Sequence, residues 1–369
     1  MKTNQLQKNI PTGWQQLKLG DCLVIKHGKP QKEIEVVGGK YPILATGGII
    51  GRTNTPLYSK PSVLIGRKGT IDKPRYMDTP FWTVDTLFYS HIKENSIAKY
   101  LFYKFNTIKW YDYNEASGVP SLSASTISKI KINLPPILEQ NRIVSVIETW
   151  DKSIEKLILK IEIKKQIKKG LMQDLLTGKK RLSGFKDKWE IVKLGDLIIK
   201  QEKTNRQSGH SLDTGMYPFF NNSSKGFDQY LNEFDFDGEM LIANTGGVAY
   251  FDYYFGKFAV MSDCFVFTSK ENCKFLFYIL KRLEDLINHK GFTGSGIKHL
   301  DKKFFFKLKI ELPSIKEQVE IADIITIADG EIKQLEKKLS LIKDQKRYLL
   351  NNLITGTIRT PENLLVKVK

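Results

Sequence analysis

The sequence predicts an α+β fold: two pseudo-twofold-related globular domains separated by two long antiparallel coiled-coil helices. Three observations predict it: an internal repeat, a heptad seam late in each copy, and short apolar runs punctuated by turn residues early in each copy. The resulting segments are 1–140 (first globular domain), 141–180 (first spacer helix), 181–318 (second globular domain), 319–359 (second spacer helix) and 360–369 (C-terminal tail).

The repeat governs everything else, because self-similarity at a fixed period marks one structural unit written more than once. Trp14-Gln15-Gln16-Leu17-Lys18-Leu19-Gly20-Asp21 returns as Trp189-Glu190-Ile191-Val192-Lys193-Leu194-Gly195-Asp196. Tyr41-Pro42 answers Tyr217-Pro218, and Leu64-Ile65 answers Leu241-Ile242. Leu134-Pro135 with Glu139-Gln140 recurs as Leu312-Pro313 with Glu317-Gln318, and Leu175-Leu176-Thr177-Gly178 as Leu353-Ile354-Thr355-Gly356. Agreement is scattered over 40–117 and 215–293 and dense from Gly118 and Gly296 onward, the pattern of a fixed frame carrying divergent inserts.

After Pro136, apolar residues fall at Ile143, Ile147, Trp150, Ile154, Leu157 and Ile161; Lys164 and Lys168 interrupt, and Leu171 and Leu175 resume. The second seam runs Ile321, Ile325, Ala328, Ile332, Leu335, Leu339, Ile342, Lys346, Leu349 and Leu353. A sustained period of about 3.5 residues predicts coiled-coil packing. The economical partner for each seam is the other seam; homodimerisation is the competing use. Packing at Lys164 and Lys168 is expected to be looser, or the lysines to snorkel outward. Ser314 with Glu317 has the capping-box pattern, and Gly178 and Gly356 stand where C-caps are expected.

Within the copies, Val63-Leu64-Ile65, Leu87-Phe88-Tyr89, Met240-Leu241-Ile242 and Cys264-Phe265-Val266-Phe267 read as strands. The 58 Lys and Arg against 40 Asp and Glu give a formal charge of +18, which points to nucleic acid or an anionic membrane surface. No run of 18 apolar residues occurs and the first residues lack the apolar core of a signal peptide, which argues against a membrane. Three cysteines without CxxC spacing suit a reduced, cytoplasmic setting. Ten Lys and Arg stand against four acids between Asp151 and Arg181, most simply a solvated helical face.

The turns carry the candidate chemistry. Glycines let a backbone approach a partner closely, Arg and Lys pair with guanine or phosphate, and Asn pairs with adenine. The first copy offers Gly47, Gly48, Arg52, Arg67, Lys68, Thr70, Arg75 and Tyr76 as candidate DNA contacts. The second offers Asn221, Asn222, Ser223, Lys225, Asn244, Thr245, Tyr250 and Tyr253. Unlike loops at equivalent places suit unlike DNA half-sites. Catalytic patterns are missing: there is no GxxxxGK[ST] phosphate loop, no HExxH among the five histidines, and no (Asn/Asp)-Pro-Pro-(Tyr/Phe). Glu162-Ile163-Lys164 and Glu331-Ile332-Lys333 mimic the end of a nuclease motif but lie on the predicted coiled coil. No metal site and no bound cofactor are expected.

The repeated Trp…Leu-Gly-Asp phrase, the Gly118-Val119-Pro120-Ser121-Leu122 and Gly296–Leu300 segments, the doubled Leu-Pro-x-x-x-Glu-Gln and the Thr-Gly endings resemble the specificity (S) subunit of type I restriction–modification systems over nearly the whole chain. That resemblance implies two target-recognition domains, approximately 12–140 and 187–318, each reading half of a bipartite, asymmetric site in double-stranded DNA. It implies paired helices that act as a ruler and dock two methyltransferase (modification) subunits binding S-adenosylmethionine. Restriction subunits using ATP and Mg would join them, leaving this chain a DNA-recognition subunit without catalysis. About 35 residues at about 1.5 Å each give roughly 50 Å, against about 34–36 Å per turn of B-DNA.

Overall fold

A computed structural model describes residues 10–221, 226–296 and 298–364. The chain forms two compact units, one of Met1–Ile158 with Lys338–Lys369, the other of Leu159–Lys337. The spacer helices are therefore not separate domains: each gives its first half to one unit and its second half to the other.

The first unit begins β1 (Gln15–Lys18), α1 (Leu19–Cys22), β2 (Leu23–Lys26), β3 (Tyr41–Ala45), β4 (Gly48–Thr53) and β5 (Ser62–Gly66). It continues β6 (Arg75–Met77), β7 (Trp82–Thr83), β8 (Leu87–Ile92), α2 (Ala98–Phe105), α3 (Ala124–Lys129), β9 (Lys131–Leu134) and the first half of the long α4 (Ile137–Leu175). Its sheets run β2-β8-β5-β6, β4-β3-β7 and β1-β9. The second copy gives β10 (Glu190–Lys193), α5 (Leu194–Leu197), β11 (Ile198–Lys200), β12 (Tyr217–Phe220), β13 (Phe227–Leu231), β14 (Phe236–Asn244) and β15 (Phe251–Val260). There follow β16 (Cys264–Ser269), α6 (Cys273–Lys290), β17 (Phe292–Thr293), β18 (His299–Leu300), α7 (Lys302–Lys307), β19 (Lys309–Leu312) and the long α8 (Ile315–Thr355).

Here one six-stranded sheet, β11-β16-β14-β15-β12-β13, does the work of two in the first unit. The ten-residue β15 pairs with both β14 and β12. Its counterpart is broken into β6 and β7 by Asp78-Thr79-Pro80-Phe81, and Pro80 has no amide to give a ladder. All four strands expected from sequence are present, and the repeated Tyr-Pro pairs open β3 and β12, each with a register shift after its third residue.

One repeat register needs correction. Ile65 pairs with Phe88, whereas it is Ala243 that pairs with the corresponding Phe265, so Leu64 answers Ile242 and not Leu241. A one-residue slip exchanges the faces of a strand, and the loop beyond is shifted with it: Arg67 corresponds to Thr245, and Asn244 to Gly66.

Each unit is closed by the end of one long helix lying beside the start of the other. In the first, Leu353 and Ile354 share a core with Trp14, Leu19, Tyr100, Ile143 and Ile147. In the second, Leu175 and Leu176 share a core with Leu194, Phe275, Ile321 and Ile325. Within each unit the two helix segments run antiparallel, as the rising and falling numbers of the ion pairs show: Lys164–Glu331 and Lys168–Asp329 in one, and in the other Asp151–Lys346 with Glu139 meeting Arg359 just past the end of α8. Of the expected pairing residues, Ile143, Ile147, Leu157, Ile161, Ile321, Ile325 and Ile332 are buried; Trp150, Ile154, Leu335, Leu339, Ile342 and Leu349 are half-buried. The seam lysines are ion-paired across the two helices, Lys164 with Glu331 and Lys168 with Asp329. Lys168 and Lys346 occupy equivalent places, half-buried, against Asp329 and Asp151, which also accept the hydroxyls of Tyr278 and Tyr103 at 3.0 and 2.7 Å.

The repeated Glu-Gln has a distinct duty for each residue. Glu139 accepts the Trp14 indole N–H at 2.9 Å and two N–H groups of Arg359. Glu317 accepts the Trp189 indole at 3.3 Å and both arms of Arg181 at 2.7 Å, so it does not complete the expected capping box with Ser314. Gln140 and Gln318 accept the backbone N–H of Ile97 and Asn272 just ahead of α2 and α6, and donate back to Pro135 and Pro313. Gly178 and Gly356 end the helices at φ 65° and 75°, where a side chain would be strained.

Candidate nucleic-acid interface

In the first unit the structure gathers two turns. The β3–β4 hairpin is held by Arg75, whose guanidinium donates to the carbonyls of Thr46 at 2.8 Å and Ala45 at 3.3 Å. The loop after β5 lies against it: a Cβ on Gly66 would stand 2.0 Å from the Thr70 carbonyl oxygen and 3.1 Å from the Thr46 methyl. Gly47, Gly48, Arg67, Lys68, Thr70 and Arg75 thus form one cluster. Lys68 is exposed, whereas Arg67 is braced by an ion pair with Asp85. Gly48, at φ 139°, holds a turn conformation few side chains adopt. Arg52 is spent elsewhere, donating to Gly39 at 2.6 Å and Lys40 at 3.1 Å.

Tyr76 is not part of that cluster. Adjacent strand residues face opposite ways, and Tyr76 lies toward α2, near Phe102 and under the Lys99 ammonium at 4.8 Å. The second unit repeats this correction. Tyr253 donates to Glu239 at 2.6 Å and packs by Phe277 of α6, while Lys281 of α6 stands 4.1 Å above the ring of Tyr250. Burial, followed by the charge of Asp252, pushes the Tyr250 hydroxyl up to about 12.

Asn244 is likewise a builder of its loop. It is 8% exposed; its amide donates to Val248 O at 3.2 Å and accepts from Gly246 N at 3.1 Å. With both ends so used, Asn244 shapes the turn, and Gly247 and Val248 are the residues the turn exposes. Thr245 donates its hydroxyl to the Asp263 carbonyl. Asn221, at the end of β12, donates to Gln229 at 3.0 Å. Asn222, Ser223 and Lys225 lie outside the described residues.

Sequence reasoning missed one partner of these loops. Leu122 N donates to Arg67 O and Gly69 N to Pro120 O, both at 2.9 Å; Leu300 N donates to Thr245 O at 3.0 Å and Gly247 N to Lys298 O at 2.8 Å. The same two bonds in both copies strap each reading-loop candidate to the dense Gly118–Leu122 or Gly296–Leu300 motif. It also missed Arg181 and Arg359, which a repeated Thr-Gly-x-x-Arg spacing signals. Among the described residues no helix is long and apolar enough to cross a membrane, and no group of three or more His, Cys, Asp or Glu could hold a metal ion.

The family model for the type I restriction modification DNA specificity domain matches twice, over residues 11–168 and 186–343. The specificity subunit of the type I restriction enzyme MjaVIII of Methanocaldococcus jannaschii is 24% identical over 428 residues, covering 95% of this chain and 94% of that one. The type I restriction–modification S subunit of M. genitalium has the same fold, with a TM-score of 0.70 at 17% identity over 96% of this chain and 98% of that one. A chain from a study of assembly and conformational transition in the type I system matches at 0.57 and 15% identity, over 95% and 100% of the two chains. With two matching domains that span most of its length, this chain belongs to the type I restriction–modification DNA specificity family, as a specificity subunit and not an enzyme.

Proposed function

We propose that the chain reads a bipartite, asymmetric site in double-stranded DNA, one domain to each half-site, and docks two modification subunits on its long helices. S-adenosylmethionine belongs to those subunits, and ATP with Mg to restriction subunits that join them in the cytoplasm. One observation carries the reading. The two copies share a loop frame down to individual backbone hydrogen bonds, yet fill it with opposite chemistry: Arg67-Lys68 in one, Thr245-Gly246 in the other. A common frame with unlike contents is what two readers of unlike sequences require, since base edges are distinguished by donor and acceptor pattern.

The test is a methylome map of host DNA with and without this gene, beside binding of the assembled complex to selected and random duplexes at fixed salt. A two-part motif, and selected duplexes bound about a thousandfold tighter than random ones, are expected. Equal binding to all duplexes, or methylation or cleavage by the purified chain alone, would overturn the reading.

A further inference from the structure

The loops after β5 and β14 are each one edge of a two-edged structure. The second edge is the segment just ahead of α3 or α7, bonded to the first through Leu122 and Pro120, or through Leu300 and Lys298. Bridges between Lys68 and Ser121 and between Gly246 and His299 complete the pairing.

On this second edge the copies keep a buried leucine and change the two residues ahead of it. Leu122 and Leu300 are 3% and 7% exposed and anchor the edge in the core. His299, adjacent to Leu300 on β18, is exposed on the opposite face, as strand alternation demands. Lys298 is exposed too. In the first unit the same places hold the half-buried Pro120 and Ser121, and the exposed residue of this edge is Val119, at 66%. Pro-Ser against Lys-His is a full change of hydrogen-bonding character between a repeated glycine and a repeated leucine.

We infer that this segment is a second base-reading edge: Lys298 and His299 meet purine acceptors in the second half-site, and Val119 meets an apolar base edge, the 5-methyl of thymine, in the first. This rests on the proposed reading of DNA by the two domains. Lys and His donate where guanine presents N7 and O6, while a methyl group is the one apolar feature of the major groove.

The experiment uses the full chain assembled with its modification subunits and host genomic DNA as the probe. Lys298→Ala with His299→Ser is expected to relax one base position of the second half-site by about tenfold, leaving the first unchanged. Val119→Ser should do so in the first alone, and duplexes with uracil for thymine should reproduce the effect in the unaltered complex. Lys298→Arg retains the donor and should retain the motif. Motifs identical to the parent at normal methylation would overturn the inference, as would equal weakening on every duplex, which marks a phosphate contact. Loss of all methylation in variants with a lowered melting temperature would assign the edge to folding and overturn it as well. A parent complex without any sequence preference would instead bring down the reading beneath it.

Discussion

Arg181 holds Glu317 with both arms of its guanidinium, Nε on Oε1 and Nη2 on Oε2, each at 2.7 Å. The carboxylate is 1% exposed and also takes the Trp189 indole N–H, so three donors converge on one buried charge. Arg181 follows α4, while Glu317 opens α8, so the pair fastens the end of one long helix to the start of the other. Glu317→Gln removes the charge and leaves a buried amide facing a guanidinium. The second unit is expected to lose about 2–3 kcal/mol, at or just below the lower end of the range for breaking a buried pair, because Arg181 keeps some solvent. Hydrogen exchange over 315–330 reads this locally. Arg181→Lys, which loses the fork, should fall between parent and Glu317→Gln; unchanged protection in both would leave the clasp without weight.

The interhelical lysines define a second prediction. Lys168 and Asp329 are 24% and 39% exposed, so their pairing contributes only about 0.5–1 kcal/mol. Lys168→Leu alone should destabilise more than that, because Asp329 keeps the Tyr278 hydroxyl as its partner in a half-buried seam. Lys168→Leu with Asp329→Leu should restore most of the loss, since an apolar seam replaces an ion pair at little cost. A double-mutant cycle by urea unfolding measures the coupling, and additivity of the single changes would remove it.

The helices were legible because a 3.5-residue period is written in apolar side chains, and Ile143, Ile147, Ile321 and Ile325 lie where that period puts them. The four named strands were legible as apolar runs between turns. What sequence could not show was which residues converge across long separations. Arg359 meets Glu139 through 220 residues of chain, and no periodicity records such a contact. Nor could residue type tell a reader from a builder. Asn244 has the right amide for adenine, but its burial and its two bonds to Val248 and Gly246 decide its role. Tyr76 and Tyr253 fail as loop residues because strand alternation turns them to α2 and α6.

Asp252 sets a pH dependence in the second unit. Burial is the main cause that raises its carboxyl to about 6, with Glu284 adding to the rise and Lys281 opposing it. An acid raised on folding binds its proton more tightly in the folded state. Its contribution is therefore most favourable below about pH 4 and is lost as pH rises through about 6. Asp252→Asn should make the second unit more stable at pH 7 by about 1–2 kcal/mol, the partial exposure of the site reducing the full linkage value. Hydrogen exchange at pH 5 and pH 7 checks the sign. A variant equally stabilised at both, or destabilised at pH 7, contradicts the assignment.

The strongest single lever on the first of the two proposed reading loops is Gly66. It stands at the end of β5, its φ is unexceptional, and only space forbids a side chain there: a Cβ would meet the backbone oxygen of Thr70 at 2.0 Å. Gly66→Ala must therefore displace the turn that carries Arg67 and Lys68. Gly69→Ala differs in kind, because at φ 88° it strains the backbone by about 1 kcal/mol without meeting a backbone atom. In the assembled complex, Gly66→Ala should cost at least about tenfold in discrimination at the first half-site, since one misplaced bidentate contact is enough for that. The second half-site should be untouched, because its loop is built by Asn244 at the corresponding place. Competition between cognate and half-site-substituted duplexes at fixed salt separates the two halves. Parent-like discrimination in Gly66→Ala would show that the position of this turn does not govern reading.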